Sequence, residues 1–135
     1  MSELQIMLDT NIVSDFMRYP EGVVGQRLRA YGIGRVCISA IVLAELRYGI
    51  VRSGSGRLAR QMSWALEFMQ IMPFDIPADR AYAEIRSALE GQGRPIGPMD
   101  MLIAAHALAL DVVLVTANVR EFTRVPDLRV ENWLD

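Results

Sequence analysis

The sequence predicts an α/β fold in which helices cover both faces of a parallel sheet. Short apolar runs alternate with longer helical patterns along the chain, an order typical of parallel strands joined by crossover helices. The run at residues 112–116 is apolar almost throughout, as in strands buried on both faces. The run at residues 4–8 ends abruptly in Asp9, Thr10 and Asn11. Ligands of open α/β sheets bind beyond the carboxyl ends of the strands, so we expect a site at Asp9.

The individual strands and helices follow from the apolar pattern and its breaks. Five apolar runs predict strands, at residues 4–8, 36–38, 74–76, 112–116 and 128–131. The stretches between them predict helices, at residues 12–18, 21–31, 40–50, 57–71, 78–90 and 99–110, with a turn and a short helix at 117–122. Ser39 is a suitable N-cap for the third helix, and Pro98 suits the first position of the sixth. There is no internal repeat and no domain boundary, so residues 1–135 are expected to form a single domain.

The composition is that of a globular chain with a high apolar content. Hydrophobic residues make up 52% of the chain and charged residues 22%, which argues against disorder. The mean hydropathy of +0.21 is high, so either the core is large or a partner covers apolar surface. In and just after the helix at 57–71, Trp64, Phe68 and Met72 form a second apolar face, which is more than a surface helix needs.

Charge and cysteine content exclude several classes of function. The net charge is −2 and the pI is about 5.4, which taken alone argues against a nucleic-acid partner. All 14 basic residues are arginine, so no lysine-dependent mechanism is available. The lone Cys37 cannot form an internal disulfide and is expected to be buried, as suits a reducing cytoplasm. The sequence shows neither a signal peptide nor a membrane span, so we expect a cytoplasmic protein.

Three acidic residues lie in apolar segments, where a charge is costly unless it is paired or bound to a metal. Asp9 ends the first strand, and its alternative role is an N-cap for the following helix. Glu45 lies in the middle of an apolar helix, where a salt bridge with an arginine is the alternative. Asp100 lies in the first turn of its helix, and the alternative there is ordinary stabilisation of the helix end.

Polar residues also follow the strongest strand, namely Thr116, Asn118 and Glu121. The alternative to a role in a site is a turn-forming role for Asn118 and a solvent-exposed carboxylate for Glu121. The right-handed crossover rule could place strands one and four side by side, which would bring these residues close to Asp9. Carboxylates gathered in one pocket repel one another, so they are tolerated only when a hard cation such as Mg²⁺ or Mn²⁺ binds between them. The shortage of Cys and His excludes a typical zinc site. The single His106 lies on another face of its helix, so we assign it no catalytic role.

Four motifs occur in a specific order along the chain. They are Leu-Asp-Thr-Asn at residues 8–11, Ser-Ala-Ile-Val-Leu-Ala-Glu-Leu-Arg-Tyr-Gly at 39–49, Ile-Gly-Pro-Met-Asp-Met-Leu-Ile-Ala-Ala-His-Ala at 96–107, and Leu-Val-Thr-Ala-Asn-Val-Arg-Glu-Phe at 114–122. This combination resembles the PIN-domain ribonucleases and, more narrowly, the VapC toxins of bacterial type II toxin–antitoxin modules. No single motif is specific, but their order is, and the resemblance covers essentially the whole chain.

The resemblance implies a three-layer α/β/α, PIN-like domain with a central parallel sheet of four to five strands. It also implies endonucleolytic cleavage of RNA that depends on Mg²⁺ or Mn²⁺. Asp9, Glu45 and Asp100 match the three acidic positions of the family, so the resemblance assigns them as metal ligands and catalytic residues.

The fourth acidic position of many PIN domains is occupied by Asn118 in this chain. This departure leaves open whether the site holds one metal ion or two. Glu121, one helical turn further on, could supply the missing charge and is the fourth candidate catalytic residue. Small polar positions that line such sites are matched by Thr10, Asn11 and Thr116, with Asn118 as a further polar residue.

The resemblance further implies a cognate VapB-type antitoxin, which in the family wraps the toxin and directs a side chain, often Arg, toward the acidic pocket. It implies a homodimer and structured RNA substrates, commonly tRNA, with initiator tRNA as the narrower expectation. The apolar face at Trp64, Phe68 and Met72 is a candidate surface for a partner helix or a second copy, and internal core is the alternative. An acidic metal pocket needs a basic rim to recruit phosphate, for which the arginines are candidates.

Other proteins with an acid at the end of the first strand fit less well. A haloacid-dehalogenase-type phosphatase would use Asp9 as nucleophile, but it needs an acid where this chain has Asn11, and usually a lysine. A phospho-receiver domain also lacks its lysine and paired early acids, and a P-loop NTPase lacks its Gly-Lys-Thr/Ser motif. The stronger rival is a non-catalytic RNA- or partner-binding PIN-like module with a weakened metal site. Asn118 favours that rival, and the intact set of Asp9, Glu45 and Asp100 opposes it.

Overall fold

The computed structural model describes residues 3–134 and shows a three-layer α/β/α fold around a central parallel sheet. This confirms the predicted fold class. Within these residues the sheet has five strands, β1 (Ile6–Leu8), β2 (Val36–Ser39), β3 (Gln70–Met72), β4 (Val113–Val115) and β5 (Val130–Glu131). The same residues form seven α-helices, α1 (Thr10–Arg18), α2 (Val23–Tyr31), α3 (Ala40–Ser53), α4 (Gly56–Ala65), α5 (Ala78–Gly91), α6 (Pro98–Leu110) and α7 (Val119–Phe122).

The strand order β3-β2-β1-β4-β5 places the first strand at the centre of the sheet, and all neighbouring pairs run parallel. The chain builds β2 and β3 on one side of β1 and then returns to build β4 and β5 on the other. This confirms that strands one and four lie side by side. Leu8 pairs with Val115, and the Asp9 N–H donates to the Val115 carbonyl at 2.9 Å. Asp9 and Thr116 therefore leave the sheet together at the point where strand order reverses, where open α/β folds bind ligands.

Helix starts fix the backbone around the polar strand ends. Asp9 caps α1 and accepts from the Thr10 N–H at 2.8 Å. Ser39 caps α3, as predicted, and accepts from the Ile41 N–H at 3.0 Å. Helix α6 has Pro98 at its first position, also as predicted. The capping role of Asp9 is therefore real, but it uses only one of the two carboxylate oxygens.

The core lies between the sheet and the helix faces that cover it. Every residue of β1 and β2 is buried, and Trp133, Phe16 and Phe122 are among the largest fully buried side chains. Cys37 in β2 is buried, as predicted, and burial raises the pKa of its thiol to about 12. A thiol with such a pKa stays protonated and unreactive at neutral pH. No helix in the part of the chain that the structure describes has the length and hydropathy of a membrane span.

The third strand and the helix before it differ from the sequence prediction. The helix expected at 57–71 gives way to a 3₁₀ turn, Leu66–Phe68. The third strand is Gln70–Met72, not residues 74–76, and it pairs in parallel with β2. Hydrogen bonding to β2 therefore ends the helix early, although the helical spacing of apolar residues continues to Met72. Tertiary pairing overrides the local pattern here.

The second apolar face predicted around Trp64 is partly internal. Phe16 of α1 packs against Trp64 and Phe68, with ring centroids 5.1 and 5.4 Å away. Met72 is half-buried in β3. Trp64 and Leu58 nevertheless remain 37% and 36% exposed, so a narrower apolar surface is left on α4.

Candidate active site

Asp9 lies buried at the end of β1 and is surrounded by hydrogen-bond donors. Its Oδ1 accepts from the Thr10 N–H at 2.8 Å, and its Oδ2 accepts from the Thr116 hydroxyl at 2.7 Å. The Asn11 amide donates a longer bond to Oδ2, at 3.4 Å. Burial raises the pKa of Asp9, and these hydrogen bonds, which favour the ionised form, only partly offset that rise. A nearby positive charge would therefore stabilise the ionised carboxylate.

Glu45 approaches the same edge of the sheet from α3. The Thr10 hydroxyl donates to Glu45 Oε1 at 2.6 Å. Thr10 therefore contacts two acids, Asp9 through its main chain and Glu45 through its side chain. A salt bridge to an arginine, the alternative for Glu45, does not occur among the ion pairs of residues 3–134.

Asp100, in the first turn of α6, completes a group of four carboxylates. Its pKa is raised to about 7, first by burial and then by the charges of Glu121, Asp9 and Glu45 and by a hydrogen bond with Glu121. Such repulsion is strong only between groups that lie close together in a partly buried pocket. The structure thus brings together all four acids that the sequence singled out. We call them the carboxylate cluster.

Glu121 is the ionised partner of Asp100. Burial acts to raise the pKa of Glu121, but hydrogen bonds from Gly97, Asn118 and Asp100 lower it overall, with a further contribution from the charge of Arg124. The Gly97 N–H donates to Oε1 at 2.8 Å, and the Asn118 side-chain amide donates to Oε2 at 2.6 Å. Because Asp100 has the raised pKa and Glu121 the lowered one, the proton of the pair resides on Asp100.

Small polar residues connect the loops around the carboxylate cluster. The Asn118 N–H donates to the Thr116 hydroxyl oxygen at 3.0 Å. Asn11 accepts from the Ala117 N–H at 3.0 Å, which ties the loop after β4 to α1. The structure therefore places Thr10, Asn11, Thr116 and Asn118 beside the acids. Asn118 adds no charge there and instead holds Glu121 in place.

Gly97 contributes to the site, although the sequence marks it only as a loop residue before Pro98. A Cβ atom at Gly97 would lie 3.4 Å from Asp100 Oδ2 and 3.7 Å from Glu121 Oε1. A methyl group there would touch both acids at ordinary van der Waals distance, and the main-chain N–H of Gly97 is a donor to Glu121. A Gly-Pro dipeptide separated by one residue from an acid at the start of an apolar helix is the sequence signal that could have identified it.

The oxygen donors of the carboxylate cluster fit a hydrated divalent cation. Across residues 3–134, no three acidic, His or Cys side chains are placed so that together they could hold a metal ion. Mg²⁺ usually keeps several waters and takes only one or two carboxylates directly, so it does not need three protein ligands at once. The proton that Asp100 retains near neutral pH compensates negative charge that a bound cation would otherwise neutralise. Hard oxygen donors without thiolate or imidazole favour Mg²⁺ or Mn²⁺ over zinc.

His106 lies in the core and away from the carboxylate cluster. Its Nδ1 is 2.8 Å from the Ser39 hydroxyl oxygen, and the residue is 2% exposed. Burial lowers the pKa of His106, so the ring is neutral at physiological pH.

Comparisons with known proteins agree with this arrangement. Residues 6–128 match the family model of the PIN domain. The chain is 37% identical over 131 residues to the tRNA(fMet)-specific endonuclease VapC of Shigella flexneri, covering 96% of this chain and 98% of the relative. It is 38% identical over 129 residues to ribonuclease VapC2 of Rickettsia felis, covering 94% of this chain and 96% of the relative.

Solved structures of related complexes superpose closely on this chain. VapBC2 from Rickettsia felis, bound to a DNA fragment from its promoter, has a TM-score of 0.88 at 36% identity and covers 96% of this chain and 99% of that chain. DNA-bound VapBC from Salmonella typhimurium has a TM-score of 0.85 at 34% identity. The match covers 96% of this chain and 98% of that chain. Sequence and structure agree over nearly the whole length. The chain belongs to the PIN-domain family and, within it, to the VapC ribonucleases.

Proposed function

We propose that this protein is a divalent-metal-dependent endoribonuclease that serves as the toxin of a type II toxin–antitoxin module. The observation that carries the proposal is the carboxylate cluster itself. Four acids meet at the reversal point of the sheet, and their mutual repulsion raises the pKa of Asp100 to about 7. Such a group is costly unless a cation binds to it.

Each acid has a proposed role. Asp9, Glu45 and Asp100 would hold Mg²⁺ or Mn²⁺, and when bound the cation activates a water and neutralises the scissile phosphodiester. Glu121, the ionised partner of Asp100, would supply the fourth negative charge. The supporting polar groups Thr10, Asn11, Thr116 and Asn118 would orient the carboxylates through the hydrogen bonds described above.

We propose tRNA as the substrate class, with initiator tRNA as the specific target. Relatives in Shigella flexneri and Salmonella typhimurium are named as tRNA(fMet)-specific endonucleases and are 37% and 34% identical to this chain. Recruitment of phosphate to an acidic pocket needs nearby cations. Arg124 is suited to that role, because its charge already acts on Glu121 and its guanidinium reaches the Pro95 carbonyl at 3.2 Å.

We propose a VapB-type antitoxin as the partner, since the superposed structures are VapBC complexes. A groove between α1 and α4 offers a surface of suitable chemistry. Two adjoining cavities of about 470 and 460 Å³ share lining residues there. The lining combines apolar side chains with arginines, as an amphipathic and partly acidic helix would require, and includes Met17, Leu58, Trp64, Arg18, Arg57 and Arg60. An arginine delivered by such a partner would neutralise the carboxylate cluster and block it.

The remaining elements of the proposal concern assembly and location. Residues 1–135 would act as one domain, the toxin would form a homodimer, and the complex would work in the cytoplasm. A second candidate, a non-catalytic RNA- or partner-binding module, is favoured by Asn118 at the fourth acidic position. It is also favoured by the lack, within residues 3–134, of three side chains placed to hold a metal ion together. The nuclease accounts better for four acids in one pocket, because a binding module would not need them.

The test is cleavage of tRNA by the purified protein, freed of any partner, in Mg²⁺ or Mn²⁺. We expect discrete products that disappear with EDTA and return when the metal is restored. Cleavage at an equal rate in EDTA would overturn the metal mechanism, and binding of tRNA without cleavage would support the non-catalytic candidate.

A further inference from the structure

A hydrogen bond in the core joins the two helices that carry Glu45 and Asp100. Ser39 caps α3 by accepting from the Ile41 N–H at 3.0 Å. His106 lies on α6, and its Nδ1 is 2.8 Å from the same Ser39 hydroxyl oxygen. Ser39 is 0% exposed and His106 2% exposed, so water does not compete for this contact. One hydroxyl therefore serves the cap of one helix and a side chain of the other.

The direction of this hydrogen bond follows from the neighbours of each group. The Ser39 oxygen already accepts from Ile41, so its own proton is available to the neutral His106 ring. The ring also meets the main-chain carbonyl of Pro73. The edge of Phe74 packs against it, with ring centroids 5.4 Å apart at 74°. His106 is therefore fixed both by hydrogen bonds and by packing.

The spacing along the two helices relates this contact to the acids. Glu45 lies six residues after Ser39, and Asp100 lies six residues before His106. Each acid is thus about 9 Å along its helix from the contact. The start of α3 meets the end of α6, so the two acids extend from the contact toward the same region, and the charge of Glu45 contributes to the raised pKa of Asp100. A shift of either helix at the contact would change the separation of the acids.

No other side-chain hydrogen bond recorded for residues 3–134 joins α3 or its cap to α6. An apolar pair of the same shape could serve the core equally well, because replacing both partners of a buried hydrogen bond is often nearly neutral for stability. A directional bond differs from apolar packing in that it fixes the relative position of the groups it joins.

We propose that Ser39 and His106 are positioning residues of the active site, whose hydrogen bond sets the separation of Glu45 and Asp100. Neither side chain touches the acids, so their effect is exerted through the two helices. The inference rests on the proposed nuclease function, because it concerns the same carboxylates.

Two isosteric variants of His106 separate positioning from simple stability. Asn places an amide atom at about the position of Nδ1 and can keep the bond to Ser39, whereas Gln places its amide near Nε2 and cannot. Asn is the poorer helix former of the two, so a purely structural effect would favour His106→Gln. Ser39→Ala removes the shared hydroxyl. Ser55→Ala is the matched control, because the Ser55 hydroxyl caps α4 by accepting from the Leu58 N–H at 3.1 Å and makes no bond to α3 or α6 among residues 3–134. The main-chain N–H of Ser55, which donates to the Ser53 hydroxyl oxygen at the end of α3, is kept in the variant.

The experiment measures kcat and KM for tRNA cleavage, Mn²⁺ affinity from the paramagnetic resonance of free Mn²⁺, and thermal unfolding for all five proteins. We expect Ser39→Ala and His106→Gln to lower kcat roughly tenfold and to weaken Mn²⁺ binding several-fold, with KM unchanged. His106→Asn and Ser55→Ala should keep the wild-type kcat and Mn²⁺ affinity even where their melting temperatures fall.

The outcomes distinguish this inference from the proposed function. If the wild type cleaves RNA with metal but His106→Gln equals or exceeds His106→Asn in kcat and Mn²⁺ affinity, the positioning role is wrong and the nuclease stands. If the wild type does not cleave, the nuclease proposal fails, and Mn²⁺ affinity in the same variants decides the positioning role. Equal Mn²⁺ affinities in the wild type and the variants, or no Mn²⁺ binding by the wild type, would overturn the positioning role.

Discussion

Acidic side chains occur in two contrasting surroundings in this molecule. On the surface formed by residues 3–134, three acids form ion pairs with arginine at 3.1–3.2 Å, namely Glu21, Glu90 and Asp111. In the carboxylate cluster, the acids instead accept hydrogen bonds from hydroxyls, side-chain amides and main-chain N–H groups. None of the ion pairs found in residues 3–134 includes a member of the cluster.

The difference shows where the fold leaves negative charge uncompensated. Exposed ion pairs contribute little to stability and are screened by salt. The clustered acids repel one another in a partly buried pocket, which costs stability, and the cost would be recovered when a cation binds. Replacing an acid of the cluster should therefore have much larger effects than replacing an acid of a surface ion pair.

The largest expected effect is on catalysis. Asp9→Asn or Asp100→Asn keeps the shape of the side chain but removes a proposed metal ligand. We expect kcat for tRNA cleavage to fall by at least about a hundredfold. Rates should be measured at saturating Mg²⁺ with tRNA in excess. Wild-type activity in either variant would remove that acid from the mechanism.

Glu121→Gln should have the next largest effect. It removes the charge that acts most strongly on Asp100 after burial. We therefore expect kcat to fall roughly tenfold or more and the pKa of Asp100 to move down toward its ordinary value. Carboxyl ¹³C NMR titration in EDTA measures that pKa. An unchanged rate together with unchanged metal affinity would show that Glu121 does not substitute for the acid absent at Asn118.

The stability of the metal-free protein should depend on pH through Asp100. Its pKa is about 7 in the folded protein against an ordinary 3.8. The folded state therefore binds more protons than the unfolded state between these values, and stability falls as pH rises through this range. In EDTA, the melting temperature of the wild type should drop from pH 5 to pH 8 by more than that of Asp100→Asn. Parallel profiles for the two proteins would contradict this account of the cluster.

Burial lowers the pKa of His106, whereas it raises the pKa of Asp100. The pKa of His106 is lowered, so the unfolded chain takes up a proton near pH 6.5 before the folded protein does. Stability should therefore be lost as pH falls below about 6.5. The comparison is the unfolding free energy of wild type and His106→Asn at pH 7.5 and 5.5, where the wild type should lose more. Equal losses would show that His106 is protonated in the folded protein.

The smallest effect is expected for an acid of the surface group. Asp111 ends α6 and pairs with Arg129 at 3.1 Å, and its left-handed backbone, with φ of 55°, suits Asn as well as Asp. Asp111→Asn should change the melting temperature by less than about two degrees and leave cleavage unchanged. A loss of activity comparable to that of Asp100→Asn would show that the two groups of acids are not distinct.

Much of the site was predictable because its residues stand out against an apolar background. Asp9 ends a buried strand, and Asp100 follows Pro98 at a helix start, so local pattern alone marks both positions. The crossover rule allowed strands one and four to lie side by side, and the structure shows this pairing, with the Thr116 hydroxyl donating to Asp9. Roles for these residues remain predictions until the variants above are measured.

Other features depend on contacts that local pattern does not reveal. The Gly97 N–H reaches Glu121 across 24 residues of chain, and the Ser39 hydroxyl reaches His106 across 67. The third strand was misplaced because apolar residues continue at helical spacing to Met72, and only pairing with β2 decides between helix and strand. Sequence reasoning thus identified residues with unusual surroundings more readily than their partners.

The most direct test of the carboxylate cluster as a cation site is Mn²⁺ binding, measured by the resonance of free Mn²⁺, in wild type, Asp100→Asn and Asp111→Asn. Both variants replace a carboxyl group by an amide of the same shape, so they differ only in which group of acids they alter. We predict saturable binding by the wild type and Asp111→Asn and a loss of most affinity in Asp100→Asn. Equal binding by all three proteins would contradict the assignment of the cluster as the metal site.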